Sequence, residues 1–153
     1  MFGTLSEETQ VKVPVSKAWA LYGSLELGKI ASGKILECVD LVEGNGGVGT
    51  ILKLTLKPGL GFVHCKEKFT KIDNKNKIKE IEAVEGGYLD LGFDLYRFRI
   101  EIKEIPTDVT SSRVKCTIEY EVKEEFAANA SFVTAESMTT LMSFANEHLL
   151  QSN

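Results

Sequence analysis

Apolar and polar positions alternate with a period of two along most of this chain and change to a period near 3.6 only at its end. Leu36–Val42, Thr50–Leu56, Val63–Ile72, Lys77–Val84, Leu91–Glu104 and Arg113–Lys123 each read as strands with one buried face. Phe2–Val13 alternates as an earlier strand that ends at Pro14. Ser16 is placed to cap a short helix carrying Ala18, Trp19 and Tyr22, and a second short helix is expected over Leu25–Ala31, stopping near Gly33. Over Glu125–Leu150 the residues Phe132, Ala135, Met138, Leu141, Met142, Ala145 and Leu149 recur every three or four positions, which is one helical face. This predicts a helix of about 24 residues, roughly 36 Å long at 1.5 Å per residue.

Turn chemistry separates the strands. Four of the six residues Gly44–Gly49 are glycine, which suits a tight hairpin between Leu36–Val42 and Thr50–Leu56. Pro58–Gly61, Asp73–Asn76, Glu85–Gly87 and Pro106–Ser112 supply the other breaks. Successive hairpins followed by one long helix give an α+β chain: a seven-stranded, curved antiparallel sheet around the C-terminal helix, with two short helices after the first strand. Such a sheet encloses an internal hydrophobic cavity. No linker or repeat divides residues 1–153, so one domain is expected.

Charge and cysteine usage narrow the function. The net charge is −4 and the lysines alternate with glutamates, so no basic stripe is available to grip a phosphate backbone. No apolar run approaches the ~20 residues of a membrane span, and the first residues lack the charged and apolar regions of a secretory leader. Cys38, Cys65 and Cys116 are an odd set without a pairing pattern, which points to reduced thiols in the cytoplasm. The glycine loop lacks the Gly-Lys-Ser/Thr ending of a P-loop, and a strand follows it. Nothing in the sequence calls for a metal or an organic cofactor.

Strand alternation then groups the candidate chemistry. Cys65, Glu67 and Phe69 share one face of their strand, and Lys79, Ile81 and Ala83 share one face of the next. Asp94, Tyr96, Phe98, Ile100 and Ile102 line up on the sixth strand, and Val114, Cys116, Ile118, Tyr120 and Val122 on the seventh. Pointing inwards, these sets make an apolar, aromatic wall with a few polar groups, suited to a small aromatic or apolar metabolite. Met138 and Met142 on the long helix suit a pliable wall facing it. Glu67 and Lys79 would be two ionisable groups in a poorly hydrated space, which is what acid–base work on an amine and an aldehyde needs. A structural ion pair is the bland alternative. Tyr96 and Asp94 are placed to orient phenol or amine groups.

Glu43–Thr50, Lys66-Glu67-Lys68-Phe69, Glu85–Gly92 and Ile118-Glu119-Tyr120-Glu121 together resemble the plant pathogenesis-related class 10, Bet v 1-like family, from Leu5 to Leu150. Gly46–Ile51, Tyr88–Gly92 and Ala127–Thr134 are similar to its norcoclaurine synthase and norbelladine synthase branch. The resemblance implies the helix-grip fold and places the branch's catalytic lysine on Lys79 and its glutamate on Glu67. The norcoclaurine synthase tyrosine two residues before that glutamate is here Cys65, and its sixth-strand aspartate is Phe98. A norbelladine synthase tyrosine matches His64. What the resemblance implies is amine–aldehyde condensation in alkaloid biosynthesis, by imine formation or a Pictet–Spengler closure. The alternative is a non-catalytic carrier of a cytokinin-like hormone or another apolar metabolite, with a defence-related storage protein third. On any of these readings a monomer or a weak homodimer through the exposed first strand is expected.

Overall fold

The computed structural model describes residues 1–59 and 62–151; Leu60 and Gly61 of the expected Pro58–Gly61 turn lie outside them. The strands are β1 (Phe2–Val11), β2 (Cys38–Glu43), β3 (Ile51–Thr55), β4 (His64–Asp73), β5 (Ile78–Gly86), β6 (Phe93–Glu104) and β7 (Ser112–Val122). Among the described residues three α-helices accompany them: α1 (Val15–Tyr22), α2 (Glu26–Ala31) and α3 (Glu136–Gln151). The strands form one sheet in the order β1-β7-β6-β5-β4-β3-β2, and every neighbouring pair is antiparallel. Consecutive hairpins account for this order from β2 to β7, and β1 closes on β7 with Leu5 opposite Ile118. The edges are β1 and β2.

The inner face of the sheet has two halves. Towards β7 it is filled: Ile100, Val114, Cys116 and Ile118 pack with Ala18 and Tyr22 of α1. Helix α3 lies on this half with Met138, Met142, Ala145 and Leu149 buried, a spacing of four, three and four that keeps one stripe inward. Each of the two methionines and Leu149 contributes about 1.5–3 kcal/mol by leaving water. Towards β2 the inner face stays open. The convex face carries a charged lattice in which Arg97 and Arg99 of β6 meet Glu80 and Glu82 of β5 and Glu119 of β7.

Two expectations need correction. The C-terminal segment is not one helix of 24 residues: a 3-10 helix (Glu124–Phe132) precedes the 16-residue α3. Val133 is extended at φ −83°, ψ 111°, where the β-branched pair Val133-Thr134 lowers helix propensity. The Asn129 side chain is also committed elsewhere, donating to the Leu91 carbonyl at 2.8 Å. Helix α1 is not capped by Ser16, which lies inside it; Pro14 holds the N-cap position, and its carbonyl accepts from Lys17 and Ala18.

Between β5 and β6 the chain turns through Gly86 and a 3-10 helix (Gly87–Leu91), which brings Tyr88 back over the sheet. Gly86 has φ 69° and ψ −159°, and a β-carbon there would sit 2.7 Å from the His64 carbonyl oxygen. A side chain meets both a Gly-only conformation and a backbone collision. Gly86→Ala is expected to cost about 1–3 kcal/mol, read as a lowered midpoint in urea unfolding.

Candidate active site

The unfilled half of the sheet encloses a cavity of about 340 Å³. Alternate residues supply its floor: Leu52 and Leu54 from β3, Cys65, Glu67 and Phe69 from β4, Lys79, Ile81 and Ala83 from β5, and Tyr96 and Phe98 from β6. Its roof comes from Leu27, Gly28 and Ala31 of α2 and from Ser137 and Leu141 of α3. Tyr88 and Phe62 form one end, and Lys57 and Pro58 reach it from the loop after β3. The register explains how the strands combine. Glu67 lies opposite Ala83, Phe69 opposite Ile81 and Ile81 opposite Phe98, so one patch of inward residues is continuous across three strands.

Lys79 is the most deeply buried polar group of the cavity wall, at 1% exposure. Its Nζ donates to the carbonyl oxygens of Tyr22 (3.3 Å) and Ser24 (3.1 Å), at and just beyond the C-terminal end of α1. It also sits 4.2 Å from the centre of the Phe69 ring, a cation–π contact. Burial pulls its pKa down to about 8, against the upward pull of the Glu67 charge. Glu67 is half-buried in the cavity wall; burial pushes its carboxyl up to about 7, with Lys79 pulling the other way. The lysine's hydrogen bonds go to backbone and not to this carboxylate, so the two charges attract without a contact ion pair. Both side chains line the cavity.

Aromatic side chains make the rest of the wall. Tyr88 and Tyr96 stack with centroids 4.3 Å apart and planes at 15°, and Phe62 meets Tyr88 edge-on at 5.3 Å. The Tyr88 hydroxyl donates to the Phe132 carbonyl at 3.3 Å, tying this end of the cavity to the segment before α3. Burial raises both phenols, Tyr96 most strongly, so both stay neutral and serve only as hydrogen-bonding groups. Burial likewise pushes the Cys65 thiol up to about 12, with Glu67 adding to it, which makes it an inert filler of the wall.

Seven of the eleven side chains expected here do line the cavity: Glu67, Lys79, Cys65, Phe69, Ile81, Tyr96 and Phe98. The other four do not. Asp94 is on the outer face, paired with Lys123 at 3.4 Å, because a bulge between Phe93 and Leu95 breaks the alternation on which its placement rested. Tyr120 packs edge-on against Phe93 at 5.6 Å and under Gly3, in the filled half of the molecule. Met138 and Met142 point into the same core; the helix shows the cavity its adjoining stripe, Ser137 and Leu141. His64 is exposed, its ring 3.5 Å from the Thr55 hydroxyl, outside the cavity.

Sequence reasoning missed Tyr88, the α2 roof and the β3 floor. Leu52, Leu54 and Leu56 carried a signal, since they alternate on one face. Tyr88 did not, because its direction depends on the 3-10 turn that follows Gly86. Among the described residues no group of three or more His, Cys, Asp or Glu side chains converges as a metal site.

Comparison with known proteins agrees with this geometry. The family model described as "Pathogenesis-related protein Bet v 1 family" matches residues 1–152. Norbelladine synthase of Narcissus pseudonarcissus is 43% identical over 99% of this chain and 94% of that protein. S-norcoclaurine synthase 1 of Papaver somniferum is 34% identical over 96% of this chain, which spans 65% of that longer protein. Among solved structures, a norcoclaurine synthase point mutant from Thalictrum flavum bound to a transition-state analogue superposes with a TM-score of 0.88 at 30% identity, over 99% of this chain and 96% of that one. The same enzyme in complex with dopamine and hydroxybenzaldehyde gives 0.85 at 30% identity, over 100% and 89%. With its seven-stranded sheet, its C-terminal helix and its lined cavity, this chain belongs to the pathogenesis-related Bet v 1 family.

Proposed function

We propose that the cavity condenses an aromatic amine with an aldehyde, with Lys79 as the acid and Glu67 as the base. One observation carries this reading: a buried ammonium and a half-buried carboxyl line one apolar cavity without being spent on each other. The relatives that carry out or bind such chemistry, norbelladine synthase and the norcoclaurine synthases, support it.

In the reaction the amine nitrogen attacks the carbonyl carbon and a C–N bond forms. Lys79 gives one proton to the oxygen as Glu67 takes one from nitrogen, which yields the carbinolamine. In a second such round Lys79 protonates the hydroxyl, the C–O bond breaks to release water as C=N forms, and Glu67 takes the second nitrogen proton. A proton passing from Glu67 back to Lys79 resets the site after each round. Where the amine carries an electron-rich ring, the same carboxylate serves to remove the ring proton after a Pictet–Spengler closure. The aromatic wall of Phe69, Tyr88, Tyr96 and Phe98 holds both flat substrates and keeps bulk water from the imine.

The working form has Glu67 ionised and Lys79 protonated. Glu67 reaches that form above about 7 and Lys79 leaves it above about 8. A narrow bell is therefore expected for kcat/KM, rising near pH 7 and falling near pH 8, with both limbs belonging to the coupled pair. The check is product formation from dopamine or tyramine and a phenolic aldehyde, read by mass spectrometry above a protein-free blank at each pH. A profile flat from pH 6 to 9, in a range set about the two expected limbs, would remove the pair from the mechanism.

A non-catalytic carrier of a hormone-like or other apolar metabolite is the second reading, favoured by how few polar groups line the cavity. It predicts saturable dye displacement by such ligands and no product above the blank.

A further inference from the structure

Tyr22 is fully buried and lies at the last position of α1, yet it is not in the cavity wall. Its hydroxyl donates to Asn146 Oδ1 of α3 at 2.8 Å and lies 3.5 Å from the Met142 carbonyl oxygen. Its backbone carbonyl, at the other end of the same residue, accepts from Lys79 Nζ, and Ser24 supplies the second acceptor two residues on. One residue thus joins α3, the C-terminal end of α1 and the buried ammonium. We propose that Tyr22 is a positioning residue for Lys79: its hydroxyl pins the end of α1 to α3, so that two backbone carbonyls hold the ammonium with one N–H left for the cavity.

The hydrogen-bond inventory supports this. An ammonium has three donors and two are committed to Tyr22 and Ser24. Those acceptors sit at a helix C-terminus, where the backbone dipole favours a cation. They offset the cost of burial, because hydrogen bonds to the charged form stabilise it. A small displacement of α1 therefore weakens both bonds together. The titratable groups around this unit are Glu67 of β4, Cys116 of β7, which lies near Tyr22, and Tyr22 itself; β6 presents the apolar Ile100 opposite Lys79. The same helix that receives the Tyr22 hydroxyl places Ser137 and Leu141 on the cavity. The helix that roofs the cavity and the hold on Lys79 are in this way linked through one side chain.

The inference rests on the acid role proposed above, and its test is chosen to stand apart from it. Lysine-labelled protein is titrated by NMR, following the Lys79 side chain directly, in the wild type and in Tyr22→Phe. The variant keeps the ring and loses the pin. Its Lys79 midpoint is expected to fall by about half a pH unit or more, with the basic limb of kcat/KM moving by the same amount and KM little changed. Val114→Ala, a cavity in the same core away from Lys79, is expected to lower Tm without moving the midpoint. Asn146→Leu removes the acceptor from the α3 side and is read in the same way if Tyr22→Phe fails to fold. A Lys79 midpoint equal to the wild type, in whichever of these two variants fold, overturns the proposal and leaves Tyr22 as core packing alone. If the wild type shows no condensation at all, the acid role falls, and the NMR midpoints still decide whether Tyr22 positions the lysine.

Discussion

Lys79→Met is expected to lower the rate of amine–aldehyde condensation by about 10²–10⁴-fold, the range that a positioned general acid contributes. Methionine preserves the length and apolar stem of the side chain but has no proton to give the departing hydroxyl. The fold should survive, with the relief of a buried charge opposed by the loss of the hydrogen bonds to the Tyr22 and Ser24 carbonyls. The sign of the charge contribution follows from linkage. Lys79 titrates near 8 in the folded protein against 10.5 in the unfolded chain, so below about 8 both states carry the charge and only the folded state pays for burying it. That cost is relieved as pH rises from about 8 to 10.5, and the substitution removes it at every pH. In the variant Glu67 loses the cation that holds its pKa down, so its carboxyl moves above 7 and becomes neutral. The checks are rate above the blank, Tm at pH 7, and far-UV circular dichroism. Undiminished turnover removes Lys79 from the chemistry.

Glu67→Gln should cost about 10²–10⁴-fold as well, by the loss of a base in place of an acid. The amide fills the same volume and still donates and accepts hydrogen bonds, so ligand binding measured by dye displacement should change little. A second effect distinguishes this variant from simple damage to the cavity. The Glu67 charge raises the pKa of Lys79. Without that charge the basic limb of any residual activity should move to lower pH, and the acidic limb should vanish. A structural ion pair, the bland alternative for these residues, predicts instead a loss of stability with the rate retained.

How far the site could be read from the sequence depended on how local its determinants are. Strand alternation sufficed for Cys65, Glu67, Phe69, Lys79, Ile81, Tyr96 and Phe98, because β4, β5 and β6 keep their pleat across the patch that lines the cavity. It failed at Asp94, one residue inside a bulge that no residue type announced. Helical periodicity found the buried stripe Met138, Met142, Ala145 and Leu149, but the two methionines expected in the cavity wall fill the core with the rest of that stripe. Period marks which face leaves water and does not say what it meets. Tyr22 carries the same lesson more sharply. In the sequence it is one more apolar position of a short helix, and its tie to Asn146, 124 residues away, exists only in three dimensions.

Whether Lys79 and Glu67 act on two substrates held together in the cavity is decided by one titration. Wild-type protein is given dopamine and hydroxybenzaldehyde over a range of concentrations at pH 7.5, midway between the two pKa values of about 7 and about 8, with displacement of a cavity dye and product mass followed in the same samples. Saturable dye displacement with a product rate that saturates alongside it, above the blank, is the predicted result. Saturable displacement with product no faster than in buffer would contradict it, leaving a carrier in place of a catalyst.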